Sequence, residues 1–360
     1  NNIQALRAFA AVAVVSFHTG FIFPHMRAIG SFGVDIFFVI SGYIMARIVE
    51  TDSSFFLRRR LIRIVPPYWA MTVLLFLAAG RYPRLMGATR ASGVELVKSL
   101  LFIPYYKSSG LLRPLLFVGW SLNYEMLFYV AIAAGLLLIP RRPLVAASGI
   151  VLVLLALCHP FMARGALPAF YGNWMMLEFV LGILAYEIAR RVPVSVALRD
   201  RSFSLVLLPA AVAGQICLQG IEHTPLPSEW VPRELLSFLM IFSASLLSQG
   251  GWDLRLAWVV LIGDASYILY LIHPYIEYFT DRVFAKQLPW LAIQHPLGSS
   301  IVSVISIGVA ILVHLRLERP LVAAMNRRFG GNRRSTEFKG LAADPGQVAP
   351  LAAAALRPDR

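Results

Sequence analysis

Long apolar runs in this chain are interrupted by a small set of ionisable side chains, among them Arg7, His18, Asp35, Glu125 and His273. An ionisable group inside hydrocarbon is costly, so each is a candidate for function. Arg7 and His18 lie eleven residues apart. On a helix that is roughly 16 Å, and eleven steps of ~100° close to within about 20° of three turns, so the two share one face. Such a wall offers a fixed cation near one end and a proton-transfer group near the other. The alternative is that Arg7 snorkels to the near surface and His18 caps the far end.

The stretch GVDIFFVISGY, residues 33–43, places Asp35 at a depth similar to that of His18. A carboxylate bonded to a histidine fixes its tautomer and stabilises the imidazolium. Asp35 is therefore expected to orient His18 as general base, unless it only serves the helix N-terminus. Ser41 and Gly42 are small enough for close helix packing, and Ser41 also joins the candidate substrate path.

Residues 53–69, SSFFLRRRLIRIVPPYW, gather Arg58, Arg59, Arg60 and Arg63. Arg60 and Arg63 are one turn apart, and guanidinium forks match phosphate oxygens. Coenzyme A, with three phosphates, fits such a patch, Arg59 included; an ordinary positive-inside anchor fits it too. In WSLNYEMLFY, residues 120–129, Glu125 lies near mid-membrane with no adjacent cation in sequence, and Trp120 is either a path residue or an interfacial anchor. In DASYILYLIHPY, residues 264–275, Ser266, Tyr270 and His273 make one polar stripe at i, i+4 and i+7. That stripe serves either a transfer path or interhelical bonding. Glu187 and Glu318 read as surface pairs with nearby arginines, and Glu178 has no evident role.

These residues need a membrane bundle to hold them. The chain is 58% hydrophobic and 14% charged, with a mean hydropathy of +0.69, beyond the range of soluble domains. Ten spans of suitable length are predicted, over 3–24, 31–49, 65–82, 115–139, 143–162, 173–189, 203–219, 234–248, 257–279 and 298–317. The fold class is thus an all-α integral membrane bundle. A net charge of +14 suits basic loops between spans rather than nucleic-acid binding.

With both termini cytoplasmic, the basic clusters at 58–63, 141–142, 190–201 and 327–339 all fall inside and the acidic loop 220–233 falls outside. Loop 81–114 disagrees, since it carries Arg81, Arg84, Arg90, Lys98, Lys107 and Arg113 on the outer side. Its segment 93–103 is expected either to form a short interfacial helix or to fold back into a site. Residues 1–320 form the membrane domain, and 321–360 are expected to be a basic, disordered tail near anionic lipid. Cys158 and Cys217 lie in apolar segments and imply no disulfide framework. No phosphate loop, nucleophile elbow or HExxH occurs, and the histidines lack metal-ligand spacing.

Taken in order, the motifs resemble membrane-bound acyltransferase family 3. The resemblance rests on Arg7 with His18, Gly33 to Tyr43, Arg60 and Arg63 before Pro66 and Tyr68, Trp120 to Glu125, and Ser266 to Pro274. It implies a multi-pass enzyme of the bacterial inner (cytoplasmic) membrane. The implied donor is acetyl-CoA or another acyl-CoA, used as substrate with no permanently bound cofactor. The implied acceptor is a sugar hydroxyl of exopolysaccharide, O-antigen, Nod factor or a related glycan, with membrane lipid and polysaccharide-assembly proteins as partners. On this reading Arg7, Arg59, Arg60 and Arg63 hold the donor, and His18, Asp35 and Glu125 are catalytic. Ser41, Trp120, Tyr270 and His273 line the path. No Ser or Cys falls beside His18, which favours direct transfer over an acyl-enzyme. A transporter of a lipid-linked glycan or acyl group would use the same buried charges.

Overall fold

Backbone polar groups inside lipid must be satisfied within the segment, which favours helices, and the chain folds accordingly. The computed structural model describes residues 1–19, 30–83, 91–199, 201–221, 230–284, 288, 290 and 295–329. In chain order the helices are α1 (Asn2–Thr19), α2 (Phe32–Asp52), α3 (Phe56–Arg81), α4 (Gly93–Leu100), α5 (Trp120–Leu138), α6 (Pro143–Cys158) and α7 (Ala166–Tyr171). They continue with α8 (Met176–Ala189), α9 (Val194–Arg199), α10 (Arg201–Ile221), α11 (Trp230–Gln249), α12 (Ala257–Phe284), α13 (Pro296–Val313) and α14 (Arg319–Phe329). Among the described residues there is no strand. Eight helical stretches among them are long and apolar enough to cross a membrane. The protein is an all-α, multi-pass membrane bundle. α1 and α11 fall short of that measure; α1 packs between α2 and α12, and α11 against α2, α8 and α10.

The third span begins earlier than the predicted 65–82. α3 starts at Phe56 and runs through Pro66 and Pro67, so the arginine cluster is helical and not a loop. The prolines deny N–H partners to the carbonyls of Ile62 and Arg63. At that weakened turn Tyr267 donates its hydroxyl to the Ile64 carbonyl at 2.6 Å. The expected span 173–189 is formed by α8, and the crossing stretch begins earlier, at Ala166 with the short α7.

Glycine is required where α2 crosses α8. A Cβ on Gly42 would lie 2.1 Å from the Phe179 carbonyl oxygen, and one on Gly182 would lie 2.1 Å from that of Val39. No side chain fits there, so the crossing is backbone to backbone.

The loop that broke the charge pattern folds back. α4 forms within its segment 93–103, and the chain after it enters the bundle. Tyr68 donates its hydroxyl to the Ser99 carbonyl at 3.1 Å, and Trp69 donates its indole N–H to Leu100 at 2.9 Å. Ser99 Oγ accepts the Leu115 N–H at 2.8 Å, and Leu115 and Leu116 are almost wholly buried.

The tail also differs from expectation at its start, since residues 319–329 are helical in α14, preceded by a π-helical turn over His314–Glu318. The end of the first predicted span (20–24), residues 84–90 of the basic loop, residues 222–229 of the acidic loop and the tail from 330 lie outside the described residues.

Candidate active site

α1, α2, α3, α5 and α12 line an open cavity of about 770 Å³, its mouth included. Its polar wall consists of Arg7, Ser41, Arg60, Arg63, Ser121, Glu125, Tyr129, Ser266, Tyr267 and Tyr270. Three arginines thus face one space from two helices. Arg60 and Arg63 come from the first turns of α3, where their one-turn spacing puts both on the same face.

Arg7 is buried. Its Nη2 donates to Ser266 Oγ at 2.9 Å and its Nη1 to Gln4 Oε1 at 3.1 Å. Gln4 in turn donates to Asp264 Oδ1 at 2.6 Å. The carboxylate is therefore one residue removed, and neutral oxygens take two of the five guanidinium donors. The cation is held in place without a direct carboxylate contact, an arrangement suited to an anionic ligand.

Glu125, with no cation beside it in sequence, shares the cavity with all three arginines. It accepts from Ser41 Oγ at 3.2 Å and from the Tyr129 hydroxyl. Ser41 is therefore a cavity residue, while its neighbour Gly42 provides the helix contact.

At the far end of α1, the His18 ring lies 5.2 Å from the ring of His273 and 5.9 Å from that of Phe117. His273 is fully buried, and its Nδ1 lies 2.8 Å from the Leu269 carbonyl oxygen. A carbonyl can only accept, so Nδ1 carries the proton and Nε2 is the bare nitrogen. That Nε2 is buried and has no hydrogen-bond partner among the described residues.

Between this pair and the cavity stands Tyr270, 6.2 Å ring to ring from His273. Its hydroxyl donates to the Val118 carbonyl at 3.0 Å and accepts from Ser121 Oγ at 2.9 Å. The polar stripe of α12 thus meets three partners in turn, with Ser266 at Arg7, Tyr270 at Ser121 and His273 at His18.

Four expectations are corrected. Asp35 does not orient His18; its Oδ2 takes Arg233 Nη2 at 2.6 Å, from α11. α2 runs along α1 from the Phe17 end, with Gly30 at Ala13 and Phe17 and Gly33 at Ala10, so Asp35 lies further along α1 than His18 and turns toward α11. Arg59 does not face the cavity; it pairs with Asp52 Oδ2 at 3.0 Å and with the Asp52 carbonyl, fastening the α2–α3 corner. Trp120 is absent from the cavity wall and packs edge-on against Phe38 and Tyr124 at 6.2 and 6.1 Å. Glu318 is likewise no surface group, being buried and bonded to His314 Nδ1 at 2.6 Å. Glu187 pairs at the surface with Arg190 and Arg191.

Two buried carboxyl groups were given no role from sequence: Glu178, noted there, and Glu277, which was missed. Glu178, 1% exposed, lies within electrostatic reach of Asp35, Glu234 and Arg233. Its signal was a lone acid in an apolar run. Glu277 is buried with Oε1 unbonded among the described residues, and it sits one turn beyond His273, an i+4 relation open to a sequence reader. Near the His18 end the folded-back loop brings Arg113 over the Phe117 ring at 5.9 Å, and Lys107 Nζ reaches the Leu115 carbonyl at 3.4 Å. Burial pushes the Lys107 ammonium below its ordinary value, opposed by Glu95 and reinforced by Arg113.

Residues 1–315 match the acyltransferase domain family. Over 339 residues the chain is 34% identical to the exopolysaccharide production protein ExoZ of Rhizobium meliloti (strain 1021), covering 91% of this chain and 99% of that protein. It is 27% identical over 377 residues to the acyltransferase MdmB of Streptomyces mycarofaciens, covering 91% and 92%. A shorter match, 33% over 152 residues, joins 38% of this chain to 24% of the peptidoglycan O-acetyltransferase OatA of Listeria monocytogenes serovar 1/2a (strain ATCC BAA-679 / EGD-e). No solved structure matches the chain.

Proposed function

The chain belongs to membrane-bound acyltransferase family 3, and we propose that it moves an acetyl or other short acyl group from cytoplasmic acyl-CoA to a sugar hydroxyl of an extracytoplasmic or lipid-linked glycan such as exopolysaccharide. The observation that carries this reading is the polarity of the site. Arg7, Arg60 and Arg63 share one cavity, and His18 with His273 stands beyond it.

On this reading the termini and the arginine end are cytoplasmic, in the bacterial inner membrane. Arg60 and Arg63 take the donor phosphates, and Arg7 with Glu125 lies deeper along the donor. The thioester reaches past Ser121 and Tyr270. His18 removes the acceptor hydroxyl proton as the oxygen attacks the thioester carbonyl carbon. Collapse breaks the carbon–sulfur bond, and the leaving thiolate takes the proton from His18. The acyl group ends as a sugar ester, with no acyl-enzyme.

His273 takes the part first expected of Asp35. With its Nδ1 bonded to Leu269, its bare Nε2 is the acceptor available to a His18 N–H, which would hold the opposite nitrogen ready as base. The likeness to a protein named for exopolysaccharide production supports a glycan acceptor, with polysaccharide-assembly proteins as partners.

The test is the ester-linked acyl content of isolated surface polysaccharide, read by proton NMR before and after mild base. Wild type, deletion and His18→Ala are compared at matched protein levels. Loss of esters with polysaccharide yield unchanged is the expected result. Esters persisting in His18→Ala overturn its role as base, and loss of the polysaccharide itself points to transport.

A further inference from the structure

We propose that a groove between the second halves of α3 and α12 seats the hydrocarbon chain of a polyprenyl-diphosphate-linked glycan, and that this lipid delivers its sugar to His18. The proposal rests on the acyltransferase reading and names its acceptor.

The groove has about 990 Å³ of empty volume. Leu74, Leu75 and Ala78 of α3 face Tyr278 and Phe279 of α12 across it. Leu74 and Phe279 are each more than half exposed, so the groove opens sideways to the membrane. Along α3 it extends from Met71 to Tyr82, roughly 16 Å of helix rise. That is about half of the ~30 Å hydrocarbon layer, or one leaflet.

Two further observations separate this groove from ordinary lipid-facing surface. First, it adjoins the His18 site through two side chains. Tyr275 lines it, the Tyr275 hydroxyl accepts the Phe117 N–H at 3.3 Å, and the Phe117 ring lies 5.9 Å from that of His18. Second, cations gather at this end, opposite the arginine cavity. Arg282 sits on the groove wall over the Tyr278 ring at 5.4 Å. Arg113 covers Phe117 and lies within electrostatic reach of His18. Arg113 belongs to the loop whose positive charge breaks the inside–outside distribution, so membrane topology does not account for it.

A sugar hydroxyl is neutral and gives these cations no partner. A diphosphate does, because it carries charge and oxygens that guanidinium groups match. A bilayer phospholipid would fill the groove but carries no sugar to His18. A lipid-linked glycan satisfies the apolar groove, the cations and the histidine together.

The full chain is reconstituted in vesicles free of polyprenyl lipid. Transfer from labelled acetyl-CoA is measured to two acceptors, the lipid-linked oligosaccharide extracted from a deletion strain and the same oligosaccharide released by mild acid. Ala78→Trp fills the groove, and Arg282→Gln removes the cation on its wall. Each is expected to raise KM for the lipid-linked acceptor about tenfold or more, with KM for acetyl-CoA and turnover of the released oligosaccharide unchanged. That constancy also shows the variants to be folded. Equal effects on both acceptors, no effect on either, or wild-type preference for the released oligosaccharide overturn the groove proposal alone. A wild type that acylates neither acceptor overturns the acyltransferase reading, and the groove assignment falls with it.

Discussion

Replacing Asp35 and Arg233 singly and together decides between the role the sequence suggested for Asp35 and the one its geometry gives it. Asp35 is 6% exposed, and its Oδ2 lies 2.6 Å from Arg233 Nη2. Breaking a buried pair by removing one partner costs about 3–5 kcal/mol. The Arg233 side chain is 24% exposed, which puts this pair toward the lower figure. The two deletions are not equivalent. Arg233 is the cation that acts on Asp35, Glu178 and Glu234 alike, so Arg233→Gln leaves three neighbouring carboxyl groups without it. Asp35→Asn leaves Arg233 with Glu178 and Glu234. Arg233→Gln is therefore expected to lower stability by ~3 kcal/mol or more, a fall of several degrees in melting temperature, and Asp35→Asn by clearly less. The double variant should recover part of the larger loss, giving a coupling energy of ~1 kcal/mol or more. The assay is thermal melting of the detergent-solubilised protein beside the pH–rate profile of acyl transfer. Protein that stays folded as Asp35→Asn should keep the wild-type profile. If Asp35→Asn leaves the melting temperature unchanged but displaces that profile, Asp35 acts on His18 and the reasoning is refuted.

His273→Ala is expected to lower kcat roughly a hundredfold with KM for acyl-CoA unchanged. His273→Asn, which retains an acceptor oxygen, should recover part of kcat, and failure to do so removes the positioning role. Arg60→Ala and Arg63→Ala should each raise KM for acyl-CoA about 10- to 100-fold, the equivalent of one charge-assisted bond of ~1.5–3 kcal/mol. Arg59→Ala, whose partner is Asp52, should leave that KM unchanged, and steady-state kinetics on the three variants tests the division. Gly182→Leu must push α8 away from the Val39 carbonyl, so it should destabilise by at least ~1–3 kcal/mol, read as a lower yield of monodisperse protein and a lower melting temperature.

What could be read ahead of the structure depended on whether both partners lay on one periodic element. The spacing of Arg7 and His18 on α1, and of Ser266, Tyr270 and His273 on α12, is a property of one helix. Both stripes proved to face each other. The partner of Asp35 was not legible because it lies 198 residues away on α11, and which helices meet, and at what level, is set by packing. The span predicted from residue 65 begins a full cluster earlier, at Phe56, and α3 runs on through Pro66 and Pro67. A tertiary donor, the Tyr267 hydroxyl, accompanies the weakened turn, and single-chain propensity contains no term for it. The basic loop before α5 was legible as an exception to the charge pattern, with an interfacial helix and an inward fold both open; the choice was not legible, because Ser99, Tyr105 and Leu115 meet only once the helices are assembled.

The order of polar groups along α1 and α12 argues against a free transport path. Arginines and Glu125 occupy one end, hydroxyls of Ser121 and Tyr270 the middle, and two imidazoles the other end. A transported ion or glycan would need the middle to open to its own width. Here Tyr270 and Ser121 are bonded to each other and to the Val118 carbonyl, and they stand between the donor cavity and His273. On the proposed reading only a narrow thioester arm has to pass that partition while the bulky, charged part of the donor stays with Arg60 and Arg63. Tyr270 keeps its ring as a wall whether or not its hydroxyl is bonded. Tyr270→Phe should therefore preserve donor binding yet loosen the partition, raising acyl-CoA hydrolysis relative to transfer. Tyr270→Ala should raise that ratio further. An unchanged ratio in both variants would mean that the two ends communicate by another route.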